Sequence, residues 1–388
     1  MQNSNIISVS WGDHLMFGEN EGRLDTPEAL VNRMVQWRDE LSVNILFWRY
    51  LRTKQEVYFD IAPGYTDFIK KSAPDITWDE FEVVPRLAHD AGLSPYLYVS
   101  LFDEGWPLLN EEERKVSYHN SMHKQHVSWQ TNFSREHPNF TMINRYGKKR
   151  HMGVLCLAYP EVRKQFRTRF CKLLAQSKYD GLFVCLRSQS RPADFADEFG
   201  FNKPIQLEFE KRYGVDIIHE DFNLQDWRDL LGDYLTIFIR ELRNDLNNVG
   251  CRLALGVPRG EILGPPMGNT SLQWKKWIEE GIIDELVINQ NSSQCPSLWH
   301  QLWPMHRGNG YIQNYLTGEN MLPLNQQLVS SYKPVIDASR VGLYVARQWD
   351  EKSKTEEVLF HETGINGLVF SSFRFDNPEA IARGDWRA

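Results

Sequence analysis

Short apolar runs and longer amphipathic stretches alternate along nearly the whole chain. The apolar runs are IISVSW from Ile6, NILFW from Asn44, PYLYVSLF from Pro95, GLFVCLR from Gly181, RLALGVPR from Arg252, ELVINQ from Glu285, GLYVARQW from Gly342 and GLVFSSFRF from Gly367. Short runs rich in Val, Ile and Phe read as strands covered on both faces, as in a parallel sheet. The stretches between them carry helix signals. Thr26 followed by Pro27 supplies an N-cap and an N1 proline for PEALVNRMVQWRDEL. TWDEFEVVPRLAHDAG and YPEVRKQFRTRFCKLLAQS are the next two predicted helices. WRDLLGDYLTIFIRELRNDLNNVG, with its terminal glycine, is the longest, and SLQWKKWIEEG, NQQLVSSYKPVIDAS and TEEVLFHETG complete the set.

Strands that alternate with helical crossovers predict an α/β fold, and eight of them predict a closed (β/α)8 TIM barrel. Residues 1–388 are expected to form a single barrel domain. An open, doubly wound sheet is the alternative, but the chain lacks both GxGxxG and GxxxxGK[ST], the signatures such sheets use at their switch points. Two segments exceed a minimal barrel: about Asp103 to Arg150, after strand 3, and about Asn291 to Met321, after strand 6. Long excursions of this kind shape the mouth of a barrel.

Charge narrows the possible partners. A formal net charge of -7 argues against nonspecific binding to nucleic acid or anionic membrane. No run is long enough to span a bilayer, so no transmembrane segment is expected. The opening MQNSNIISVSWGDH shows no basic region leading into an apolar run. It is compatible with a cytoplasmic protein, and equally with a periplasmic or secreted one whose leader has been removed. Cys156, Cys171, Cys185, Cys251 and Cys295 are widely spaced and form neither a metal-binding pattern nor a disulfide framework.

Barrel geometry gathers the residues that follow each strand onto one rim, where barrel enzymes carry out their chemistry. Read in this way, the rim holds Trp11, Asp13 and His14 after the first strand, and Trp48 and Arg49 after the second. Asp103 and Glu104 follow the third, Arg187 the fourth, Arg259 and Glu261 the fifth, and Asn289 and Gln290 the sixth. Arg347, Gln348, Trp349 and Asp350 follow the seventh, and Ser372 and Arg374 the eighth.

Paired carboxylates are the minimum machinery for glycoside hydrolysis, one protonating the leaving oxygen and the other attacking or activating water. Asp350 and Glu261 are the first candidates and Asp103 the next, with Glu104 nearby. Arg49, Arg187, Arg259, Arg347 and Arg374 can form a positive pocket, because guanidinium groups match carboxylate and sulfate geometry. The same arginines can instead be internal clamps paired with Asp13, Asp103 or Asp194. Trp11, Trp48, Trp106 and Trp349 offer platforms for sugar rings or, equally, core packing.

His119, His123 and His126 lie close together, but no carboxylate completes a zinc spacing and HExxH is absent. His300 and His306, among Trp299 and Trp303, are candidate substrate contacts. Neither a metal nor a cofactor is expected.

The segment YPEVRKQFRTRFCKLLAQSKYDGLFVCLRS, Tyr159 to Ser188, resembles bacterial glycoside-hydrolase-like barrels of the "family 10-like" kind. The resemblance lies in a Pro-Glu-Val helix feeding a strand that starts at Asp180-Gly181. DEFGFNKPIQLEFEKRYGVDI, Asp197 to Ile217, is similar to the same group. The resemblance implies a barrel fold and carbohydrate chemistry, with the surroundings of Arg187 at the active-site mouth. One departure matters. Well-known retaining barrel hydrolases carry a glutamate acid/base after strand four and a glutamate nucleophile near strand seven. Here these places hold Arg187-Ser188-Gln189 and Gln348-Trp349-Asp350, so that catalytic pair does not transfer.

The combined expectation is a glycoside hydrolase acting on a complex, anionic polysaccharide or oligosaccharide, with Asp350 as nucleophile or base and Glu261 as proton donor. Arg49, Glu104, Arg187, Arg259, Asn289, Gln290, Arg347, Arg374, Trp11, Trp48 and Trp349 would contact the substrate. The alternatives are a noncatalytic carbohydrate-binding barrel and a polysaccharide lyase. No GxSxG elbow favours an esterase.

Overall fold

The computed structural model describes residues 4–9, 24, 26–50, 56–61, 77–105, 107–108, 127–186, 197–263, 268, 270–288, 323–347, 358 and 360–371. Eight parallel strands close into a barrel. They are β1 (Asn5–Val9), β2 (Val43–Arg49), β4 (Ser94–Ser100), β8 (Gly181–Cys185), β9 (Arg252–Gly256), β10 (Glu285–Ile288), β11 (Gly342–Arg347) and β12 (Gly367–Ser371). Each coincides with one of the apolar runs. Every strand pairs with its neighbours in chain order, and β12 returns to β1 through Ile6↔Val369.

Alternation along each strand sorts side chains into two cores. Ile6, Ile45, Phe47, Tyr96, Tyr98, Phe183, Cys185, Ala254, Val287, Tyr344, Ala346 and Val369 fill the barrel. Residues such as Leu46, Trp48, Leu97, Leu182, Leu253 and Leu286 face outward, into the layer under the helices. Phe47 and Phe183 stack inside the barrel with centroids 4.0 Å apart and planes 9° apart, and Tyr98 meets Phe183 edge-on at 5.0 Å. The interior is therefore a packed aromatic plug, not a pore.

The N-terminal end of this plug is polar. Glu285 accepts hydrogen bonds from Tyr96 Oη at 3.1 Å and from Arg252 Nε at 2.8 Å. Burial pushes the Glu285 carboxyl up to about 7, although Arg252 opposes the shift. Glycine makes room for the rings here: a Cβ on Gly181 would lie 2.6 Å from the Tyr96 ring.

The helices form where the patterns predict them. In α1 (Pro27–Leu41) the Thr26 side chain accepts from Ala29 N, and in α2 (Glu80–Asp90) Asp79 accepts from Phe81 N. A short helix, α3 (Asn132–Glu136), precedes α4 (Pro160–Ala175). Next come α5 (Lys203–Tyr213) and α6 (Leu224–Val249), each ended by a left-handed glycine, Gly214 and Gly250. A six-residue helix, α7 (Trp274–Glu279), follows β9. The predicted helix over NQQLVSSYKPVIDAS is interrupted. Between α8 (Leu324–Gln327) and α9 (Lys333–Ile336), residues Leu328–Tyr332 form a π-helical turn. Pro334 lacks an N–H and crowds the carbonyl four residues back, and the wider turn lies directly before it. None of the described helices is long and apolar enough to cross a membrane.

The insertion after the third barrel strand contains strands that the apolar pattern does not predict. Its β5 (Val127–Thr131) pairs antiparallel with β3 (Val57–Ile61), which comes from the connection after β2. Its β6 (Thr141–Ile143) and β7 (Arg150–Leu155) form a hairpin. The helix α5, in the connection after β8, was also not anticipated. The expected insertion after the sixth strand lies outside the described residues.

Candidate active site at the barrel mouth

Period-two alternation along β2 turns Ile45, Phe47 and Arg49 inward, so the last of them emerges at the C-terminal mouth. Its guanidinium carbon lies 4.8 Å from the centroid of the Tyr98 ring, the top of the aromatic plug. Arg49 Nη2 donates to Asp103 Oδ2 at 3.0 Å, and Nη1 donates to Ser100 Oγ. The Arg49 side chain is 17% exposed and that of Asp103 4%. Burial works against the arginine's charge, but Tyr98, Asp103 and Cys185 around it hold its pKa above the ordinary value. The result is a fixed cation and a fixed carboxylate on an aromatic floor. Such a site can orient a hydroxyl-bearing ligand and stabilise charge that develops beside it.

Glu104 adjoins Asp103 but points elsewhere. Its carboxylate accepts from Arg169 Nη2 at 2.8 Å, from Arg169 Nη1 at 3.2 Å and from Thr131 Oγ1 at 2.6 Å. The Arg169 guanidinium rests on the rings of Phe166 and Phe170, 5.1 and 5.2 Å away. Glu104 thus ties β5 to α4 behind the mouth, as a structural clamp for the loop that carries Asp103. Gly105 completes that loop: its φ is +77°, and it bridges to Gln130 of β5.

Trp48, expected among the sugar contacts, takes the outward position between Phe47 and Arg49. It is 1% exposed, donates its indole N–H to Glu80 Oε2 at 2.8 Å and packs beside Trp78 under α2. This position leaves it no ring face for a ligand at the mouth. Arg259 donates to Gln327, next to the π-helical turn, and burial holds its pKa below the ordinary value. Tyr332 of the same turn accepts from Gly260 N at 2.9 Å and stacks on Trp274. The turn therefore anchors the loop after β9. Glu261, on that loop, is largely exposed and pairs with Lys275 Nζ at 2.5 Å. Among the described residues, no hydrogen bond or ion pair joins Glu261 to Asp103 or Arg49.

Of the five rim arginines, Arg49 follows the clamp alternative, paired with Asp103. The backbone of Arg347 closes β11 opposite Phe370. Trp11, Arg187, Asn289, Gln290, Trp349, Asp350 and Arg374 lie outside the described residues, as do the His119–His126 and His300–His306 groups. Ser100 and Tyr98 of β4 and Cys185 of β8 pack around Arg49 and were not singled out in the sequence. Their signal was the same alternation that turns Arg49 inward, read one and two strands further along.

No protein-family model matches the sequence. No curated protein sequence matches it either. Solved structures share its fold. The glycoside hydrolase domain of PgaB (BpsB) from Bordetella bronchiseptica is 12% identical, with a TM-score of 0.51 over 99% of this chain and 98% of that one. The catalytic domain of beta-amylase from Paenibacillus polymyxa is 10% identical, with a TM-score of 0.50 over 99% and 98% of the two chains. The beta-galactosidase from the psychrophilic Marinomonas ef1 is 10% identical, with a TM-score of 0.50. It covers 95% of this chain, which spans 53% of the galactosidase. The fold is thus one found in bacterial glycoside-hydrolase domains of several kinds, and it does not single out the family 10-like group.

Proposed function

We propose that this chain is a glycoside hydrolase that cleaves a complex, anionic polysaccharide or its oligosaccharides at the C-terminal mouth of the barrel. One observation carries the reading: the buried Arg49–Asp103 pair seated on Tyr98 at the mouth of a closed (β/α)8 barrel. The likeness to glycoside-hydrolase domains supports it at the level of fold.

A carboxylate beside a guanidinium is suited to bearing negative charge, as a nucleophile, base or electrostatic stabiliser does. Asp103, bonded to Arg49 at the mouth, is assigned the role of nucleophile, base or electrostatic stabiliser. In the ring of strands, β4 and β11 are separated by β8, β9 and β10 on one side and by β2, β1 and β12 on the other. This opposition supports pairing Asp103 with Asp350, which follows β11, across a bound sugar. Glu261, on the loop after β9, is the proton donor of the proposal, and binding of the sugar separates it from Lys275. Arg49 and Arg259 are already engaged within the chain, so recognition of the anionic group is assigned to Arg187, Arg347 and Arg374, with Trp11 and Trp349 as platforms.

The test is turnover of uronic-acid and sulfated oligosaccharides by Asp103→Asn, Glu261→Gln and Asp350→Asn. Loss of general acid–base or nucleophilic catalysis lowers kcat by about 10²–10⁴-fold. Undiminished hydrolysis in all three variants rejects the assignment. An unsaturated uronate product would instead establish a lyase, and tight binding with no product a carbohydrate-binding barrel.

A further inference from the structure

A second cleft, of about 320 Å³, opens between the β6–β7 hairpin and α5. The hairpin belongs to the connection after β4 and α5 to the connection after β8, so both walls are built by loops of the C-terminal face. The walls are locked together. Gly200 N and Phe201 N donate to Ile143 O at 3.0 and 3.1 Å, and Asn202 Oδ1 accepts from Ile143 N at 3.2 Å. Arg145 spans the far side, donating to the carbonyls of Ile218 at 3.2 Å and Glu220 at 2.7 Å.

The hairpin tip is a tight turn. Asn144 Oδ1 accepts from Lys148 N and Lys149 N, and Gly147 takes a left-handed φ of +67°. This turn holds Tyr146 at the edge of the cleft with 73% of its surface exposed, the most exposed large hydrophobic side chain among the described residues. Facing it are Lys203, Gln206 and Glu210, successive on one face of α5, with Asp216 and His219 beyond. The side chains of Lys203, Glu210 and Tyr146 make no hydrogen bond or ion pair among the described residues. The lining mixes donors and acceptors of both charges around an exposed ring.

We infer that this cleft is an accessory saccharide-binding site, in which Tyr146 stacks on a pyranose ring and Lys203, Gln206 and Glu210 bond its hydroxyls. An aromatic ring with polar groups at its edge suits a sugar, which presents an apolar C–H face and a rim of hydroxyls that both donate and accept. The cleft volume is at the small end of the range for ligand sites, ~300–1,000 Å³, so it fits a short stretch of a chain. Its place on the C-terminal face suits it to hold a polysaccharide whose scissile bond lies in the mouth. The inference rests on the proposed carbohydrate activity for its ligand class.

The experiment is native affinity electrophoresis of the full chain in gels containing polygalacturonate, heparin, xyloglucan or soluble starch. The proteins compared are wild type, Tyr146→Ala, a Lys203→Ala/Glu210→Ala double variant and Asp103→Asn. Retardation in at least one gel is expected, with the dissociation constant raised at least fivefold in Tyr146→Ala and in the double variant, while Asp103→Asn reports on hydrolysis. Tyr146 is exposed, so an unaltered melting temperature is expected and separates binding from folding. Equal retardation of Tyr146→Ala and wild type, or no retardation in any gel, overturns the inference. If that result accompanies Asp103-dependent hydrolysis, the activity proposal stands without the accessory site. Tyr146-dependent retardation with no hydrolysis leaves the accessory site standing and removes the activity.

Discussion

Arg49 and Asp103 meet at the C-terminal mouth of the barrel, Nη2 to Oδ2 at 3.0 Å, one from the end of β2 and the other from just beyond β4. Neither residue is close to the other in sequence; neighbouring strands bring them together. Because both are largely buried, Arg49→Met leaves a carboxylate without its cation and is expected to destabilise the fold by about 3 kcal/mol. Arg49→Met/Asp103→Leu is expected to recover part of that loss while remaining inactive. Denaturant unfolding of the single and double variants gives the coupling between them. Strictly additive effects would show that the pair does not act as a unit.

Gly105 sets the path of the loop that carries Asp103. A Cβ there would lie 1.9 Å from the carbonyl oxygen of Trp129, on a backbone with φ of +77°. Gly105→Ala is expected to push the loop off β5, lowering stability by roughly 1–3 kcal/mol and activity more than tenfold. Urea melts and the rate on the same oligosaccharides measure both effects. Wild-type turnover in this variant would separate the position of Asp103 from the chemistry.

Behind the mouth, the Glu104–Arg169 pair is a test of structure without chemistry. Glu104→Gln keeps the shape but weakens the bonds from Arg169 and Thr131, and about 2–3 kcal/mol of stability should be lost. Thr131→Val removes one hydrogen bond to the same carboxylate and should cost about 1 kcal/mol. Calorimetry of the two variants and their combination should show smaller losses together than in sum, because both bonds end on one group.

Glu285 makes stability depend on pH. Burial raises its pKa to about 7 in the folded protein, from the ordinary 4.5. Between these values the folded state holds more protons than the unfolded one, so this contribution is fully present below about pH 4.5 and is lost as pH rises through about 7. Its size is at most about 3 kcal/mol, from 1.36 kcal/mol per pKa unit. Glu285→Gln should abolish the dependence, making the wild type lose stability relative to the variant from pH 4.5 to 7.5. Parallel pH profiles of wild type and variant in guanidinium unfolding would remove Glu285 as the source.

The barrel was legible in the pattern of apolar runs and helix signals. Runs such as GLFVCLR and RLALGVPR have few conformations other than a buried strand, and Thr26-Pro27 or Gly250 mark helix ends through local backbone chemistry. The same pattern placed Arg49 and Asp103 at the mouth, because strand ends in a closed parallel barrel share one rim. The direction in which each neighbour points depends on packing across the whole fold. Trp48 and Arg49 are adjacent, yet alternation sends one beneath α2 and the other into the mouth, and one residue of register separates these outcomes. Glu104 and Glu261 were legible as carboxylates near strand ends, but their partners, Arg169 and Lys275, lie on helices whose approach depends on the packing of the whole outer layer. The pairing of β3 with β5, and the meeting of Tyr146 with α5, were hidden for the same reason. They join segments far apart in the chain, and the period of a short segment carries no information about a distant partner.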